Sequence, residues 1–296
     1  MLMKQAYYNM NLNPNATADI HEFNYVGIEG FSEYENFNNN TDWVKSVSQT
    51  SWINSHNLSI DGGGERAKYR ISTEMLNQPG TVIGQLYERF STRSYLEYDV
   101  SDRMKFISEV GFTYGNNNKN YTDDNNKSSV LDIAYRKMPN VSIYAQDRYG
   151  NNTDVYYNIL QSSKLDASQK NLMNPVALAR LATYNEKNYR ITPTLRLEFY
   201  LLNPEKTYLK YSGLVSFDVN NLKTSRFLPK EVSSYVWNNE NVNRAEGIDS
   251  KSLKVQTENK ILWQPRFSNS DHFLSAGFTV RTSSLTVPLL VPKSMV

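Results

Sequence analysis

The chain has 296 residues, with 32 Lys and Arg against 30 Asp and Glu for a formal net charge of +2, and it contains no Cys. A near-balanced charge without a basic block argues against nucleic acid as a partner, and the lack of Cys rules out disulfides, thiolate metal sites and a Cys nucleophile. No apolar stretch approaches the roughly 20 residues of a spanning helix, so a helical membrane protein is excluded.

In chain order, Met1-Leu2-Met3-Lys4-Gln5-Ala6-Tyr7-Tyr8 reads as a short amphipathic helix, not as a secretory leader. An exported barrel needs such a leader, so either the chain is not exported or its true N-terminus lies upstream. From Leu58 onward the sequence alternates apolar and polar residues. Leu58 and Ile60 share a parity, and beyond Gly62-Gly63-Gly64-Glu65 they are answered by Ala67, Tyr69, Ile71, Thr73 and Met75. Phe90, Thr92, Ser94, Leu96 and Tyr98 follow, then a turn at Ser101-Asp102, then Phe106, Ser108, Val110, Phe112 and Tyr114. A third pair runs from Tyr189 to Leu201 and, past Asn203-Pro204, from Leu209 to Val219. A fourth runs from Leu253 to Trp263 and from Leu274 to Val280. Period two sends each set to one face of a strand.

The opposite parity carries the charge, including Arg70, Glu74, Arg89, Arg93, Glu97, Glu109, Arg190, Glu198, Asp218, Glu258 and Arg281, whereas the apolar sets contain no Asp, Glu, Lys or Arg. Lipid excludes charge from one face of a barrel while a watery lumen accepts both signs. A soluble β-sandwich also alternates, hiding its apolar face against a second sheet, and the pattern alone does not separate the two. Runs of about ten residues, the length of a tilted crossing strand, lean toward membrane. So do Tyr69, Tyr98, Tyr114, Tyr189, Tyr211 and Trp263, placed toward the ends of the outward sets as in an interfacial girdle.

Turn lengths assign the sides. Tight connections near 62–65, 99–103, 203–206 and 264–271 are expected at the periplasmic rim, and long ones near 77–88, 115–188 and 222–251 outside. The middle loop is too long to be structureless. Ser129 with Asp132 resembles a capping box, Val130, Leu131, Ala134, Tyr135 and Met138 keep helical spacing, and Pro139 stops the run. Asn174-Pro175 starts a second helix, with Leu178, Leu181 and Ala182 following.

Ligand contacts are expected from loop aromatics, whose rings offer apolar area and a polar handle at low entropy cost. The candidates are Tyr121, Tyr144, Tyr149, Tyr156, Tyr157, Tyr235 and Trp237, with packing within the loops as the competing role for each. Asp147, Asn151 and Asp154 flank a Gly-containing turn as weak cation ligands, without EF-hand spacing. Asp123-Asp124-Asn125-Asn126 is a weaker cluster. No enzyme is expected: His21, His56 and His272 are far apart in sequence, no HExxH or GxSxG occurs, and Gly62-Gly63-Gly64 lacks the Lys-Ser/Thr of a phosphate loop.

Asn40-Thr41-Asp42-Trp43-Val44, His56-Asn57-Leu58-Ser59-Ile60, the Gly62–Glu65 turn, Tyr69-Arg70-Ile71-Ser72, Glu88-Arg89-Phe90-Ser91 and Asn174-Pro175-Val176-Ala177, in this order, resemble the barrel of SusC/RagA-type TonB-dependent outer-membrane transporters. The resemblance implies an all-β antiparallel transmembrane barrel segment of about eight strands from a larger barrel of twenty-two, with short helices in its extracellular loops. It divides the chain into a plug-to-barrel connecting segment over 1–50 and barrel wall over 51–296. It further implies import of glycans, oligosaccharides or peptides, no cofactor, a SusD-like surface lipoprotein as partner and energy from a TonB–ExbB–ExbD complex. The sequence shows no plug-like segment or TonB box, and an arc of wall has two open edges. A soluble β-sandwich carbohydrate-binding module and a non-transporting remnant remain the rival readings.

Overall fold

In the computed structural model, residues 34–122, 128–161, 167–202, 207–235, 239, 243–267, 272–286 and 293–295 are described. The expected Met1–Tyr8 helix, the Asn203-Pro204 turn, the Asp123–Asn126 cluster and Trp237 lie outside them. The strands are β1 (Asn54–Gly63), β2 (Ala67–Pro79), β3 (Leu86–Ser101), β4 (Met104–Lys119), β5 (Tyr144–Gln146), β6 (Asn152–Tyr156), β7 (Thr183–Tyr200), β8 (Thr207–Leu228), β9 (Arg244–Pro265), β10 (Ala276–Thr286) and β11 (Lys293–Met295). One antiparallel meander, in the order β1-β2-β3-β4-β7-β8-β9-β10, forms the wall, and β11 continues the pairing along β9. β5 and β6 form a separate hairpin.

The register makes one face of the parity sets. Ile71 pairs with Ile60 and Ser94, Ser94 with Val110, and Val110 with Pro193. Farther along, Ile191 pairs with Val219, Val219 with Leu253, and Ile261 with Phe278. A slip of one residue along any pair would turn a whole strand inside out; the one shift among these pairs, between Asp99 and Ser101, lies at the turn end of β3 and β4 and leaves the parity of the strands intact. No second sheet covers this face among the described residues: Ile71, Leu96, Leu195, Leu197, Val219, Ile261, Phe278 and Val280 are all exposed. The sandwich reading fails on that point, because a sandwich buries its alternating apolar set. Pro193 interrupts the interior of β7. It has no N–H for the ladder, and the pairing with β8 lapses between Ile191 and Thr194.

The apolar band ends along one register row, Met75–Phe90–Tyr114–Tyr189–Asn221–Lys251. The next outward row, Asn77–Glu88–Asn116–Lys187–Lys223–Asp249, is polar throughout. The strands nevertheless continue, so the long connections begin later and end sooner than the sequence pattern indicates. They span 80–85, 120–182 and 229–243 rather than 77–88, 115–188 and 222–251. The physical reason is that the period-two signal exists only where lipid wets one side; above the band both faces are polar and the alternation disappears.

The buried core lies among the long loops, not on the sheet. Phe37, Trp43, Val47, Val82, Val130, Ile133, Val141, Ile159, Val176, Leu178, Leu228 and Val232 pack as one cluster. The described part of the N-terminal segment belongs to it: the Trp43 indole N–H donates to the Met138 carbonyl at 2.8 Å, and Thr41 donates its backbone N–H to the Pro139 carbonyl at 2.6 Å. Residues 34–49 therefore sit at the long-loop end, where β1 begins opposite the end of β2. The helix Val130–Arg136 starts at Ser129, whose hydroxyl accepts from the Asp132 N–H at 3.1 Å as the capping pattern indicates. It buries Val130, Ile133 and Ala134, and Tyr135 points outward with 73% exposure.

Candidate functional site

The loop cap is organised by Asn174. Its side-chain oxygen accepts the N–H groups of Val176 and Ala177 at 3.1 and 3.2 Å, capping the helix Pro175–Leu181. Its amide nitrogen donates to the Ile143 and Tyr157 carbonyls at 2.8 and 2.9 Å. One fully buried side chain thus ties the helix to the segments on either side of the β5–β6 hairpin. Lys137 closes the other flank. Its ammonium donates to the Leu172 and Met173 carbonyls at 3.0 and 3.3 Å and lies 5.7 Å from the centre of the Trp43 ring. Burial pushes its pKa down to about 7.

The candidate tyrosines divide between core and surface. Tyr121 and Tyr157 are buried at 6% and 7% exposure and are part of the cap's core, with Tyr157 edge-on to Phe37 at 6.0 Å. Tyr235 packs against the same core. Tyr144 and Tyr156 form a stacked pair across the hairpin, their centroids 5.0 Å apart and their planes 26° apart. Burial and the Tyr144 hydroxyl hold the Tyr156 pKa above the usual phenolic value, with Arg180 close enough to oppose the shift. Tyr149, 72% exposed, projects at the hairpin tip with the Arg148 guanidinium 4.7 Å from its ring. Of the proposed ligand contacts, the structure joins Tyr144 to Tyr156 and leaves Tyr149 accessible nearby in sequence.

The weak cation candidate is a closed turn. One Asp147 oxygen accepts the Tyr149 and Asn151 N–H groups at 2.8 and 2.9 Å, and the other accepts the Asn151 amide at 3.1 Å. These donors hold the Asp147 carboxyl below its ordinary range, while Asp154 stands on β6. Gly150, at φ 81°, lets the chain reverse. Among the described residues no three His, Asp or Glu side chains gather as a metal site.

A cluster that the sequence reading missed lies on the charged face above the apolar band. The Arg226 guanidinium sits between the rings of Tyr121 and Tyr184, 5.0 and 5.1 Å from their centres, and 3.4 Å from the Glu246 carboxylate. Lys119 pairs with Glu186 at 2.6 Å and also faces the Tyr184 ring. The only available signal was the parity of the charged face continued past Tyr114, Tyr189 and Val219, where the opposite parity no longer marks it.

Lower on this face, Arg89 pairs with Glu74 at 2.6 Å, Lys105 with Glu97 at 2.7 Å, Lys210 with Glu198 at 2.7 Å, and Arg281 with Glu258 at 2.6 Å. Arg190 grips Asp218 through two bonds of 2.9 and 2.8 Å. An open concavity of about 620 Å³ lies among Glu74, Arg89, Arg93, Gly111, Arg190 and Thr192. Ion pairs arrayed on one face and bare apolar side chains on the other describe a wall between lipid and water.

Such a wall, meandering and antiparallel with turns short at one rim and elaborated at the other, defines an outer-membrane barrel segment. The comparisons bear out the resemblance to SusC/RagA-type TonB-dependent transporters. The chain is 27% identical over 197 residues to TonB-dependent receptor P3 of Formosa agariphila, and 24% identical over 245 residues to TonB-dependent receptor P39 of the same organism. These alignments take in 65% and 80% of this chain but only 18% and 20% of the relatives' length. Among solved structures, the RagAB peptide transporter aligns with a TM-score of 0.54 at 16% identity, over 95% of this chain and 31% of that one. The RagAB peptide importer in its closed-closed state gives the same TM-score at 15% identity, over 88% and 30%. No family model matches the chain. Its location is the bacterial outer membrane, as for these barrels.

Proposed function

We propose that this chain is part of the wall and loop cap of a TonB-dependent transporter that carries oligosaccharides inward, with a surface lipoprotein of the SusD kind resting on the loops and a TonB–ExbB–ExbD complex supplying energy to the whole protein. In this reading residues 51–296 carry the wall with its loops, and residues 34–50 brace the cap. The observation that carries it is the pairing of a lipid-suited face with a loop cap whose core is apolar and whose β5–β6 hairpin holds half-buried Tyr144 and Tyr156 in a stack and carries the exposed Tyr149 at its tip. Broad aromatic faces with hydroxyl edges match a sugar ring. A peptide cargo is the second reading, favoured by the fold shared with an importer described as carrying peptides.

The test is titration of the purified full-length protein with oligosaccharide and oligopeptide pools, before and after Tyr144→Ala with Tyr156→Ala. Loss of a stacked aromatic pair should weaken binding of the true cargo by roughly tenfold. Unchanged binding of both pools would refute the assignment of these tyrosines, and saturable binding of oligopeptides alone would move the reading to peptides.

A further inference from the structure

The outward face changes character at its long-loop end in a way that the lumen's cargo does not explain. Just past the row containing Tyr114 and Tyr189, Lys187 of β7 and Lys223 of β8 stand directly opposite each other in register. Both side chains are exposed and point outward, since they share parity with Tyr189 and Val219. Like charges directly opposite on a sheet repel and destabilise it; among the described residues neither lysine has a carboxylate within ion-pair distance, and Asp249, opposite Lys223 on its other side, pairs with Lys251 instead. Lys251, one row lower on β9, adds a third outward cation, 3.9 Å from Asp249. Glu88, on the same row as the lysine pair, is held by the Asn116 amide at 3.0 Å.

Among the described residues the turn-side margin of this face carries nothing comparable. Its strand positions there are Ala67, Tyr98, Val100, Met104, Phe106, Phe199, Leu209 and Trp263, without a cation. Among the described residues the facing lysines therefore stand at the leaflet beside the long loops, which in such barrels is the outer one. Their depth is that of a headgroup: one alternation, or about 7 Å of strand, past the Tyr114–Tyr189 aromatic pair, whose rings lie 4.9 Å apart.

We propose that Lys187 and Lys223 form an outward-facing site for the phosphate-bearing headgroup of an outer-leaflet lipid, whose acyl chains lie along the apolar band beneath it. An anion between the two ammonium groups relieves their repulsion, and the adjoining aromatic and aliphatic side chains receive the lipid tails. Asn185, Asn116 and Asn118 are engaged in amide hydrogen bonds to one another on the flank and give the site a fixed polar border. The site depends on the face meeting lipid and is independent of what the lumen carries.

The experiment is native mass spectrometry of the full-length detergent-purified protein titrated with diphosphoryl lipid A, with phosphatidylethanolamine as the zwitterionic comparison. Attraction of each lysine for an anionic surface predicts that Lys187→Gln with Lys223→Gln weakens retention of diphosphoryl lipid A roughly thirtyfold, and Lys223→Gln alone about fivefold. Replacement of both by Arg should retain binding, Lys45→Gln in the cap should leave it unchanged, and millimolar inorganic phosphate should not displace the lipid. The single variant decides the matter if the double variant does not fold. Equal retention by Lys223→Gln and the parent, equal binding of phosphatidylethanolamine, or displacement by inorganic phosphate would overturn the proposal.

Discussion

Val110→Arg tests the assignment of faces most directly. Val110 lies midway along the outward run from Phe106 to Tyr114, between Ser94 and Pro193 on the neighbouring strands, and is 37% exposed. No outward carboxylate is within its register row to receive a guanidinium, and the position is as far from either polar margin as the strand allows. An Arg near the bilayer midplane of a barrel costs about 2 to 4 kcal/mol, which lowers the folding equilibrium by roughly thirtyfold to several hundredfold. The matched control is Glu109→Arg, the adjacent residue on the opposite face, where the side chain meets the charged surface beside Tyr95 and Thr194. There the same guanidinium should cost under about 1 kcal/mol. Folding of the full-length protein into phospholipid vesicles across a urea series, read by the mobility difference between folded and heat-denatured barrel on gels, gives both numbers. Equal losses for Val110→Arg and Glu109→Arg, or a larger loss for the latter, would refute the assigned parity and with it the membrane reading of the sheet.

The cap offers three further tests. Asn174→Ala removes a helix cap and strands the buried Tyr157 carbonyl, so the cap should lose about 2 to 4 kcal/mol of local stability, seen as faster amide hydrogen exchange over 141–182 with the sheet unchanged. Gly84→Ala should open the same region to proteolysis, because Gly84 has φ 84° and a Cβ there would strike the Ala179 carbonyl oxygen. Lys137 binds a proton less readily in the fold than in the unfolded cap, with its pKa lowered to about 7 from 10.5. Between those values the unfolded state alone carries the proton, so cap stability should rise as pH increases from about 7 to about 10.5 and be flat below. Lys137→Met should abolish that slope in hydrogen exchange measured across the range; a slope that persists would assign it to another group.

How much of this was legible in the sequence follows from where the solvent asymmetry lies. From Leu58 to Val280 every outward set falls on one face, because lipid on one side and water on the other imprint a period of two. The imprint stops at Tyr114, Tyr189 and Val219, so the continuation of β8 to Leu228 and the start of β9 at Arg244 carried no signal. The β5–β6 hairpin was hidden for another reason: it is short, and Asn152–Asp154 are exposed on both sides. Asn174 was readable as a helix cap from the Pro that follows it, but its second role, joining Ile143 and Tyr157, is long-range and has no local signature. Tyr121 and Tyr157 were placed among the ligand candidates because an aromatic in a long loop looks alike whether it greets solvent or plugs a core. Only the packing of Phe37 and Arg226 against them decides.

The overhang of the strands has a consequence for anything that approaches the cell. β8 runs nine residues beyond Val219, where the continuous apolar outward run on that strand ends and Asn221, Lys223 and Ser225 take over. At about 3.4 Å per residue and a tilt near 40°, the rim stands roughly 23 Å above the hydrocarbon. An antibody or a phage fibre arriving from outside would therefore meet a stiff, hydrogen-bonded parapet topped by the Asn174-tied cap, well clear of the lipid surface. Sequence drift that evades such visitors is expected at cap positions such as Tyr135, where exposure is high and nothing in the core depends on the side chain, and not in the parapet, whose residues are committed to one another across every strand.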